Sequence, residues 1–275
     1  MAAHDLPAPP VQAVPRGERL LAAYVGLVIL FLALPVLIVV PLAFSSDVSL
    51  TFPPRGFSLH WFANIWARPE FLSAFALSAG VALVATAISM VAGVLAAIAF
   101  VRHTFPGRDA LLMLFMTPLV FPAIVLAAAL ALVMTPLGLL RSFWGLALAH
   151  VVLTLPYILR TAVATLSEID RSYQEAAHTL GADRWQAFRH VTLPMLRPGL
   201  LAGATFALII SFDEFTVSMF LVGPGVMTLP LEMYNYSEFT LDPTLAAIST
   251  VLLALTSLAI LIIERLVGLG KQFGG

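Results

Sequence analysis

Long runs without a charged side chain alternate with short polar segments along this chain of 275 residues. A helix that crosses a bilayer needs about 20 predominantly apolar residues. The pattern therefore predicts an all-α membrane protein with six spanning helices, in which interior prolines are tolerated because neighbouring groups satisfy the freed backbone. The charge-free runs are 20–46, 71–101, 110–140, 142–159, 198–212, 215–231 and 243–263. The predicted helices are 20–44, 72–100, 110–134, 143–166, 198–222 and 244–266.

The composition supports a membrane as the main solvent. Hydrophobic residues make up 60% of the chain and charged residues 11%, whereas a soluble domain carries roughly 25% charged residues. The net charge of −1 indicates no general attraction to nucleic acid. The chain contains no cysteine, which excludes disulfide bonds and thiolate metal sites, and its six histidines show no ligand spacing. We therefore expect neither a metal nor a cofactor on this chain.

The distribution of Lys and Arg predicts the orientation. With the N-terminus inside, 11 of these residues fall on the inner side and 3 on the outer side, as the positive-inside rule requires. We therefore predict an N-in/C-in protein with a disordered cytoplasmic tail at 1–19, a transmembrane domain at 20–268 and a second cytoplasmic tail at 269–275. The inner residues are Arg16, Arg19, Arg102, Arg108, Arg160, Arg171, Arg184, Arg189, Arg197, Arg265 and Lys271, and the outer ones are Arg55, Arg68 and Arg141.

One polar segment, SYQEAAHTLGADRWQAFRHVTLP, interrupts the apolar pattern between the fourth and fifth predicted helices. Ser172 followed by Glu175 predicts a capping box at the start of a short helix. Gly181 lies where that helix would end in the left-handed conformation. Asp183 followed by Gln186 predicts the cap of a second short helix, and Pro194 is expected just beyond its end.

We call residues 168–197 the elbow. Its two helices are too short to be stable alone in water, so each is expected to dock on something. Tyr173, Ala176, Ala177 and Leu180 share one face of the first helix, and Trp185, Phe188 and Thr192 form the stripe of the second. These faces are expected to pack on the ends of the membrane helices, whereas Glu175, His178, Arg184 and Arg189 point into the cytosol. The pattern suits either a helix pair lying on the membrane surface or a docking surface for a soluble partner.

The spacing of the elbow resembles the EAA loop of permeases of ATP-binding-cassette (ABC) importers. Glu175-Ala176-Ala177 is followed by Gly181 and then, after nine residues, by Val191 and Leu193-Pro194. The resemblance implies the type I importer permease fold with a cytoplasmic coupling helix that fits a groove on an ATP-binding subunit. It also implies a second permease subunit and an extracytoplasmic solute-binding protein as partners, in a bacterial inner membrane. By this resemblance the ATPase-coupling residues are Glu175, Ala176, Ala177, Gly181, Arg184, Leu193 and Pro194.

Three further segments resemble the second permease of spermidine/putrescine importers: 52–66, 211–221 and 228–250. This resemblance implies a polyamine as the transported solute. Another small organic solute or a metal ion remains an alternative, because related permeases share much of the pattern. An ion-coupled secondary transporter is a further alternative, but such proteins usually show internal repeats. We find no repeat between 20–135 and 143–266.

Two acids lie within the fifth predicted helix. Acids inside a membrane are costly and suggest a substrate pathway. At 100° per residue, Glu214 shares a narrow small and polar stripe with Ser211 and Ser218, whereas Asp213 projects about 100° away. Ser211, Asp213, Glu214 and Ser218 are therefore the candidate residues of a pathway or gate. In the competing interpretation, which suits Asp213 best, the acid pairs with a neighbouring helix or with a freed backbone N–H.

The predicted outer loops carry further candidates. Glu232, Tyr234 and Tyr236 suit a multiply charged amine through ion pairing and cation–π contact. Trp61, Phe62 and Trp66 suit an interfacial aromatic belt or a docking surface for a binding protein. His150, in the fourth predicted helix, is expected to hydrogen-bond a neighbouring helix rather than move a proton.

Catalytic motifs are absent from the sequence. There is no G-x-x-x-x-G-K-[ST] loop, no H-E-x-x-H and no G-x-S-x-G. Asp213 and Glu214 are adjacent, so on a helix they diverge and cannot share a proton as a facing dyad does. The chain is therefore predicted not to be an enzyme, and ATP and Mg²⁺ would be used by a separate partner chain.

Overall fold

The computed structural model describes residues 16–267, and every regular element in that range is helical. The predicted tail at 1–15 and the residues from 268 onward lie outside the described residues. In chain order the helices are α1 (Arg16–Ala43), α2 (His60–Trp66), α3 (Pro69–Arg102), α4 (Arg108–Met116), α5 (Ala123–Met134), α6 (Phe143–Glu168), α7 (Ser172–Thr179), α8 (Arg184–Ala187), α9 (Leu193–Asp213), α10 (Thr216–Leu221), α11 (Leu229–Phe239) and α12 (Thr244–Val267).

Four of the six predicted spanning helices are confirmed as single helices, namely α1, α3, α6 and α12. The first begins at Arg16, within the predicted tail, and therefore four residues before the predicted start. Within residues 16–267, five helical stretches are long and apolar enough to cross a membrane, or up to six if one bent pair forms a single span. This is a multi-pass membrane architecture.

The third predicted helix, 110–134, is wrong as a continuous helix. The chain forms α4, a 3₁₀ turn at Thr117–Leu119, and then α5 after a bend of 105°. Pro118 and Pro122 explain the break, because neither carries the backbone N–H that a continuous helix would use. Pro122 itself is extended, with φ −56° and ψ 130°, and α5 begins immediately after it.

The fifth predicted helix, 198–222, is wrong at both ends. The elbow's second helix does not stop before Pro194 but continues through a π-helical turn at Phe188–Thr192 into α9. Pro194 is accommodated in the first turn of α9, where a backbone N–H is not required. At the other end α9 stops at Asp213, Glu214 is extended (ψ 112°), and α10 starts afresh at Thr216.

Two helices occupy segments predicted as outer loops. α2 and α11 are short, and the sequence there is too polar to indicate a span. The hydroxyl of Ser78 on α3 accepts a 2.8 Å hydrogen bond from the N–H of Leu229, the first residue of α11. Phe71 of α3 lies edge-on to Tyr236 of α11, with ring centroids 5.3 Å apart. α11 is therefore a packed element attached to α3 rather than a loose loop.

The centre of the protein is the contact between α3, α6 and α9. Its buried cluster comprises Val94, Ala97, Phe100, Leu159, Ala162, Leu166, Ile169, Leu196 and Leu200. Two glycines of α9 allow the close approach to α6. A Cβ atom at Gly199 would overlap the side chain of Thr165, and one at Gly203 would overlap Thr161 and lie 3.2 Å from the Cα of Ile158. Small residues at such contacts let helix backbones approach in membranes.

Gly203→Val is expected to destabilise the assembled protein by about 1–3 kcal/mol, the usual effect of overpacking a tight contact. The added side chain must displace Thr161 or the backbone of α6. Gly26→Val in α1 is the matched control, because a Cβ there meets open space among the described residues. Thermal unfolding of the purified protein in detergent measures both. A midpoint for Gly203→Val equal to that of Gly26→Val would contradict the close approach of α6 and α9.

Candidate functional site

The elbow consists of α7 and α8 with a left-handed glycine between them, as predicted. Gly181 has φ +89° and its N–H donates to the carbonyl of His178 over 2.9 Å. The predicted capping box at Asp183 is confirmed. Its carboxylate accepts from the Gln186 N–H over 2.8 Å, and its own N–H donates to Gln186 Oε1 over 2.9 Å. Local sequence thus determines both the bend and the start of α8.

The predicted capping box at Ser172 is wrong. The Ser172 N–H donates to Asp170 Oδ1 over 2.8 Å, and the Glu175 N–H donates to the carbonyl of Arg171 over 3.1 Å. Because the backbone carbonyl of Arg171 accepts the Glu175 N–H, Ser172 lies inside the first turn, and Asp170 caps the start of α7 by accepting the Ser172 N–H. Its hydrogen bonds from Ser172 lower the pKa of Asp170. The depressed pKa means that this contact stabilises the elbow at neutral pH and is lost as the pH falls through that pKa.

The elbow is anchored at both of its ends to the central helices. The Arg102 guanidinium at the end of α3 donates to the carbonyl of Ile169 over 3.1 Å, and Ile169 is buried in the central cluster. On the other side, the Gln174 side-chain amide donates to the hydroxyl of Thr192, which is buried in the π-helical turn. Leu193 packs on the same cluster. Movement of the elbow must therefore displace the adjoining ends of α6 and α9.

The predicted packing of the apolar stripes on the membrane helices is wrong for α7 but correct for part of the second helix, where half-buried Phe188 packs on the central cluster and Thr192 is buried. Leu180 is 90% exposed, Trp185 is 65% exposed, and Tyr173 is also exposed. Every side chain of α7 is exposed or half-buried, and it is polar Gln174 that turns toward the protein. The indole of Trp185 contacts only the half-buried ring of Phe188 among aromatic neighbours in the described chain, at 5.6 Å. The elbow thus presents apolar side chains outward.

The coupling residues named from the resemblance divide into two groups. Glu175, Ala176, Gly181 and Arg184 are exposed on the elbow, and Ala177 beside them is half-buried. By contrast, Leu193 and Pro194 are half-buried in the first turn of α9, where Leu193 packs on the central cluster. The first group therefore forms a surface, whereas the second belongs to α9.

The break after α9 rearranges the predicted acidic stripe. Glu214 is half-buried, and its Oε1 accepts a 2.8 Å hydrogen bond from the N–H of Val217, at the start of α10. The sequence suggested a freed backbone N–H as the partner of Asp213. In the structure it is Glu214 that accepts such an N–H. Asp213 is exposed. Because the helix stops between the two acids, helical spacing no longer relates Glu214 to Ser211 and Ser218.

His150 bonds neighbouring helices on both of its ring nitrogens, as predicted for this residue. Nδ1 lies 2.8 Å from Ser211 Oγ on α9, and Nε2 lies 3.1 Å from Ser218 Oγ on α10. His150 is 1% exposed, and both serines are buried as well. The two serines predicted to line a pathway are therefore enclosed in this conformation, and they are joined through a histidine from a third helix.

The candidate residues of the predicted outer loop differ in their burial. Tyr236 is buried, its hydroxyl donates to Asp242 over 2.7 Å, and the Arg68 guanidinium lies 4.8 Å from its ring centre. Tyr234 is exposed and lies 5.3 Å, centroid to centroid, from Phe215 in the break. Glu232 is half-buried, and burial together with nearby Glu70 raises its pKa. Tyr234 and Glu232 remain candidate contacts, whereas Tyr236 holds α11 to the start of α12.

The aromatic residues of α2 also differ in their burial. Trp61 is buried and its indole N–H donates to the carbonyl of Ser45 over 2.7 Å, so it fastens α2 to the end of α1. Trp66 is 73% exposed and Phe62 is half-buried. Within residues 16–267, no three His, Asp or Glu side chains come together in a manner that could hold a metal ion.

Sequence reasoning missed Asp170 and Asp242. Asp242 accepts both the Tyr236 hydroxyl and, over 2.9 Å, the N–H of Thr244 that begins α12. Both acids lie two residues before the N–H that they accept. An aspartate at that offset is a known local turn signal, so a closer examination of helix starts would have identified them.

Residues 89–269 match the family profile described as the inner membrane component of binding-protein-dependent transport systems. The matched part contains the elbow, the break after α9 and His150. The chain belongs to this family. It is therefore a membrane component of a transport system.

Similar proteins with assigned names support the same family. The spermidine/putrescine transport system permease protein PotC of Haemophilus influenzae is 30% identical over 246 residues, covering 89% of this chain and 95% of that protein. The putrescine transport system permease protein PotI of Escherichia coli is 30% identical, with 81% and 82% covered. The chloroplastic sulfate permease 2 of Chlamydomonas reinhardtii is 33% identical, with 82% and 62% covered.

Solved structures confirm the fold class. A bacterial ABC transporter involved in import of the polysaccharide alginate contains a chain with a TM-score of 0.71 at 17% identity, covering 96% of this chain and 100% of that one. The MetNI methionine ABC transporter, in inward-facing conformations, gives 0.54 at 22% identity, with 74% and 96% covered. At these identities the likeness concerns the fold alone, which is that of an ABC-importer permease.

Proposed function

We infer that this chain is one permease subunit of an ATP-driven importer of polyamines such as spermidine and putrescine. The geometric observation that supports this function best is the continuity between the exposed elbow and α9. A single helical stretch runs from Arg184 in the elbow to Asp213, next to the half-buried carboxylate of Glu214. A displacement applied to the elbow from outside the chain therefore reaches the acid within the membrane part.

The elbow would receive that displacement from an ATP-binding subunit. Leu180, Trp185 and Tyr173 expose apolar surface beside the charged Glu175 and Arg184, and exposed apolar patches with polar surroundings mark sites of protein contact. Short helices such as α7 gain stability from such a contact. ATP and Mg²⁺ would be used in the partner chain, and the permease itself would bind no cofactor.

The acids near the break suit a cationic solute. Glu214 and Asp213 offer carboxylates at the end of α9, and Tyr234 lies against Phe215 in the same break. A polyamine carries several ammonium groups, which carboxylates bind by ion pairing and aromatic faces by cation–π contact. The names of the PotC and PotI relatives, which refer to spermidine and putrescine, support the same solute class.

The complete transporter would contain a second permease subunit and an extracytoplasmic solute-binding protein. Both termini of this chain would face the cytoplasm of a bacterial cell, with α4 and α5 together forming the sixth span of the inner-membrane protein. α2, α11 and the exposed Trp66 would then lie on the outer side, where solute arrives. ATPase closure would push the elbows, and the helix bundles would alternate between inward-open and outward-open states.

Reconstitution tests the solute class. The complex with its ATPase and second permease, placed in proteoliposomes with the binding protein, is expected to take up radiolabelled putrescine only when ATP is supplied. Unlabelled spermidine is expected to reduce that uptake, because both amines present the same charged groups. Sulfate at the same concentration is the matched competitor, since a sulfate permease shares 33% identity with this chain.

The outcomes separate the alternatives. Uptake driven by an ion gradient without ATP would contradict the importer class and favour a secondary transporter. Competition by sulfate but not by spermidine would contradict the polyamine assignment and leave the importer class intact.

A further inference from the structure

The break between α9 and α10 is bridged by a side chain from a different helix. α9 and α10 are separated by Glu214 and Phe215, so no continuous backbone hydrogen-bond ladder joins them across these residues. His150 on α6 holds Ser211 at the end of α9 with one ring nitrogen and Ser218 on α10 with the other. We call these three residues the latch.

The latch also determines where the Glu214 carboxylate lies. Ser218 is the residue next to Val217, whose N–H donates to Glu214 Oε1. A chain of contacts therefore runs from His150 through Ser218 and Val217 to Glu214, in which each hydrogen bond is 2.8–3.1 Å long. His150 does not reach the carboxylate itself, but it fixes the turn of α10 that the carboxylate caps.

The latch lies at the far end of a packed pair of helices. The elbow joins the inner ends of α6 and α9, and glycines 199 and 203 bring the two helices into close contact near the elbow. His150 is 18 residues from the end of α6, which corresponds to about 27 Å of helix. The elbow and the latch therefore connect α6 to α9 at opposite ends of the same pair.

A fully satisfied buried network makes the latch stiff. Both nitrogens of His150 have a partner, and its backbone carbonyl accepts the hydroxyl of Thr154 over 2.8 Å. Buried polar networks that satisfy every member specify one arrangement, because any other leaves an unpaired group in a low dielectric.

We propose that His150 is a positioning residue for transport: through Ser218 it fixes α10 and the Glu214 carboxylate at the end of the α6–elbow–α9 unit. Displacement of the elbow then moves the acid together with the helices instead of being absorbed at the break. This role rests on the importer function proposed above, and it gives a specific task to a buried histidine that touches no solute.

Two conservative variants test the route through Ser218. The side-chain amide of glutamine reaches the position of Nε2, and that of asparagine reaches the position of Nδ1. His150→Gln is therefore expected to keep the contact with Ser218 and retain near-normal solute uptake per ATP hydrolysed. His150→Asn keeps only the contact with Ser211 and is expected to lower that ratio at least about fivefold, as are His150→Ala and Ser218→Ala.

Ser89→Ala is the matched control. It removes the 2.8 Å hydrogen bond between the hydroxyls of Ser89 on α3 and Thr154 on α6, one helical turn from His150. That bond joins α6 to α3 and does not cross the break. The ratio of uptake to hydrolysis is expected to stay at the parental value in this variant. A residue with a merely structural role would reduce the amount of assembled complex, whereas each surviving complex would keep the parental ratio.

A distance measurement needs no solute and therefore separates this proposal from the solute assignment. The chain contains no cysteine, so spin labels attach only at introduced ones when the partner subunits are also cysteine-free. Arg197→Cys and Met219→Cys place exposed labels on α9 and α10, with about 24 Å of α9 between Arg197 and the break. The distance distribution is expected to broaden in His150→Asn and His150→Ala but not in His150→Gln or Ser89→Ala.

Three results would overturn the proposal. One is a narrow parental distance distribution in His150→Ala and Ser218→Ala. Another is an unchanged ratio of uptake to hydrolysis when the distribution has broadened. The third is a ratio of uptake to hydrolysis in His150→Asn that equals or exceeds the ratio in His150→Gln. Failure of the parental complex to take up putrescine would instead contradict the solute assignment. The spin-label distances would still test whether His150 fixes α10 relative to α9.

Discussion

Gly181→Pro is expected to uncouple ATP hydrolysis from uptake while the chain still inserts and assembles with its second permease. The native residue has φ +89°, which proline cannot adopt because its ring holds φ near −65°. Proline also removes the N–H that donates to the carbonyl of His178. The bend between α7 and α8 must therefore open, and the exposed side chains on the two helices lose their relative placement.

The expected loss is large because two costs act at one residue. A proline in an incompatible backbone conformation costs about 3 kcal/mol or more locally, which exceeds what two short, exposed helices can supply. We expect uptake per ATP hydrolysed to fall by at least about tenfold, which corresponds to about 1.4 kcal/mol of coupling. Co-purification of the ATPase with the permease pair, followed by parallel uptake and hydrolysis assays, measures the effect.

Gly138→Pro is the matched control. Gly138 also has a positive φ of +67°, a Cβ there also meets open space among the described residues, and its N–H donates to the carbonyl of Thr135. Gly138 lies before α6, at the end opposite to the elbow. If a strained proline impaired coupling in a general way, Gly138→Pro and Gly181→Pro would be impaired equally. Glu175→Arg reverses an exposed charge without changing the backbone and is expected to weaken ATPase retention. Normal coupling in Gly181→Pro would exclude the elbow as the coupling element.

Glu214→Gln is expected to reduce putrescine uptake by roughly 30-fold, which corresponds to the loss of about 2 kcal/mol from one charge-assisted interaction. The amide oxygen of glutamine still accepts the N–H of Val217, so the start of α10 stays capped while the negative charge is removed. The variant therefore isolates the charge of Glu214 from its structural task. Initial rates of uptake at several putrescine concentrations, with ATP hydrolysis followed in parallel, provide the measurement.

The neighbouring acid provides a comparison for Glu214. Asp213→Asn removes one negative charge from the adjacent, exposed side chain, and it is expected to reduce uptake less than Glu214→Gln because water and salt screen an exposed charge more strongly. Glu214→Ala removes charge and cap together and is expected to be at least as impaired as Glu214→Gln. If the uptake rate and the preference for polyamines were both unchanged in Glu214→Gln, Glu214 would have no role in handling the solute.

Local features of this protein were accessible from its sequence. The charge-free runs predicted α1, α3, α6 and α12, because a lipid environment requires about 20 consecutive apolar residues whatever the tertiary contacts. The left-handed Gly181 and the cap of α8 at Asp183 were also predicted, since both depend on residues within one turn of each other. The spacing around Glu175 and Gly181 led to the importer family that the chain belongs to.

Tertiary structure decided where the local rules competed. The apolar stripe of α7 remained exposed while polar Gln174 found a partner in Thr192, whereas Phe188 beyond the bend packed on the central cluster. A helical wheel treats each helix in isolation, so it could not tell which face the rest of the chain would cover.

The deepest division concerns the acids. Composition and apolar length predicted that Asp213 and Glu214 lie within the membrane part of the chain. The break between α9 and α10 was not predicted, because no proline or glycine stands at these positions. Two kinds of side-chain contact replace the missing helix bonds: Glu214 caps Val217 three residues on, and His150, which is 61 and 68 residues away in sequence, joins Ser211 to Ser218. The amount of apolar surface was determined by the sequence alone, whereas the interruption of α9 was decided only when α6 packed beside it.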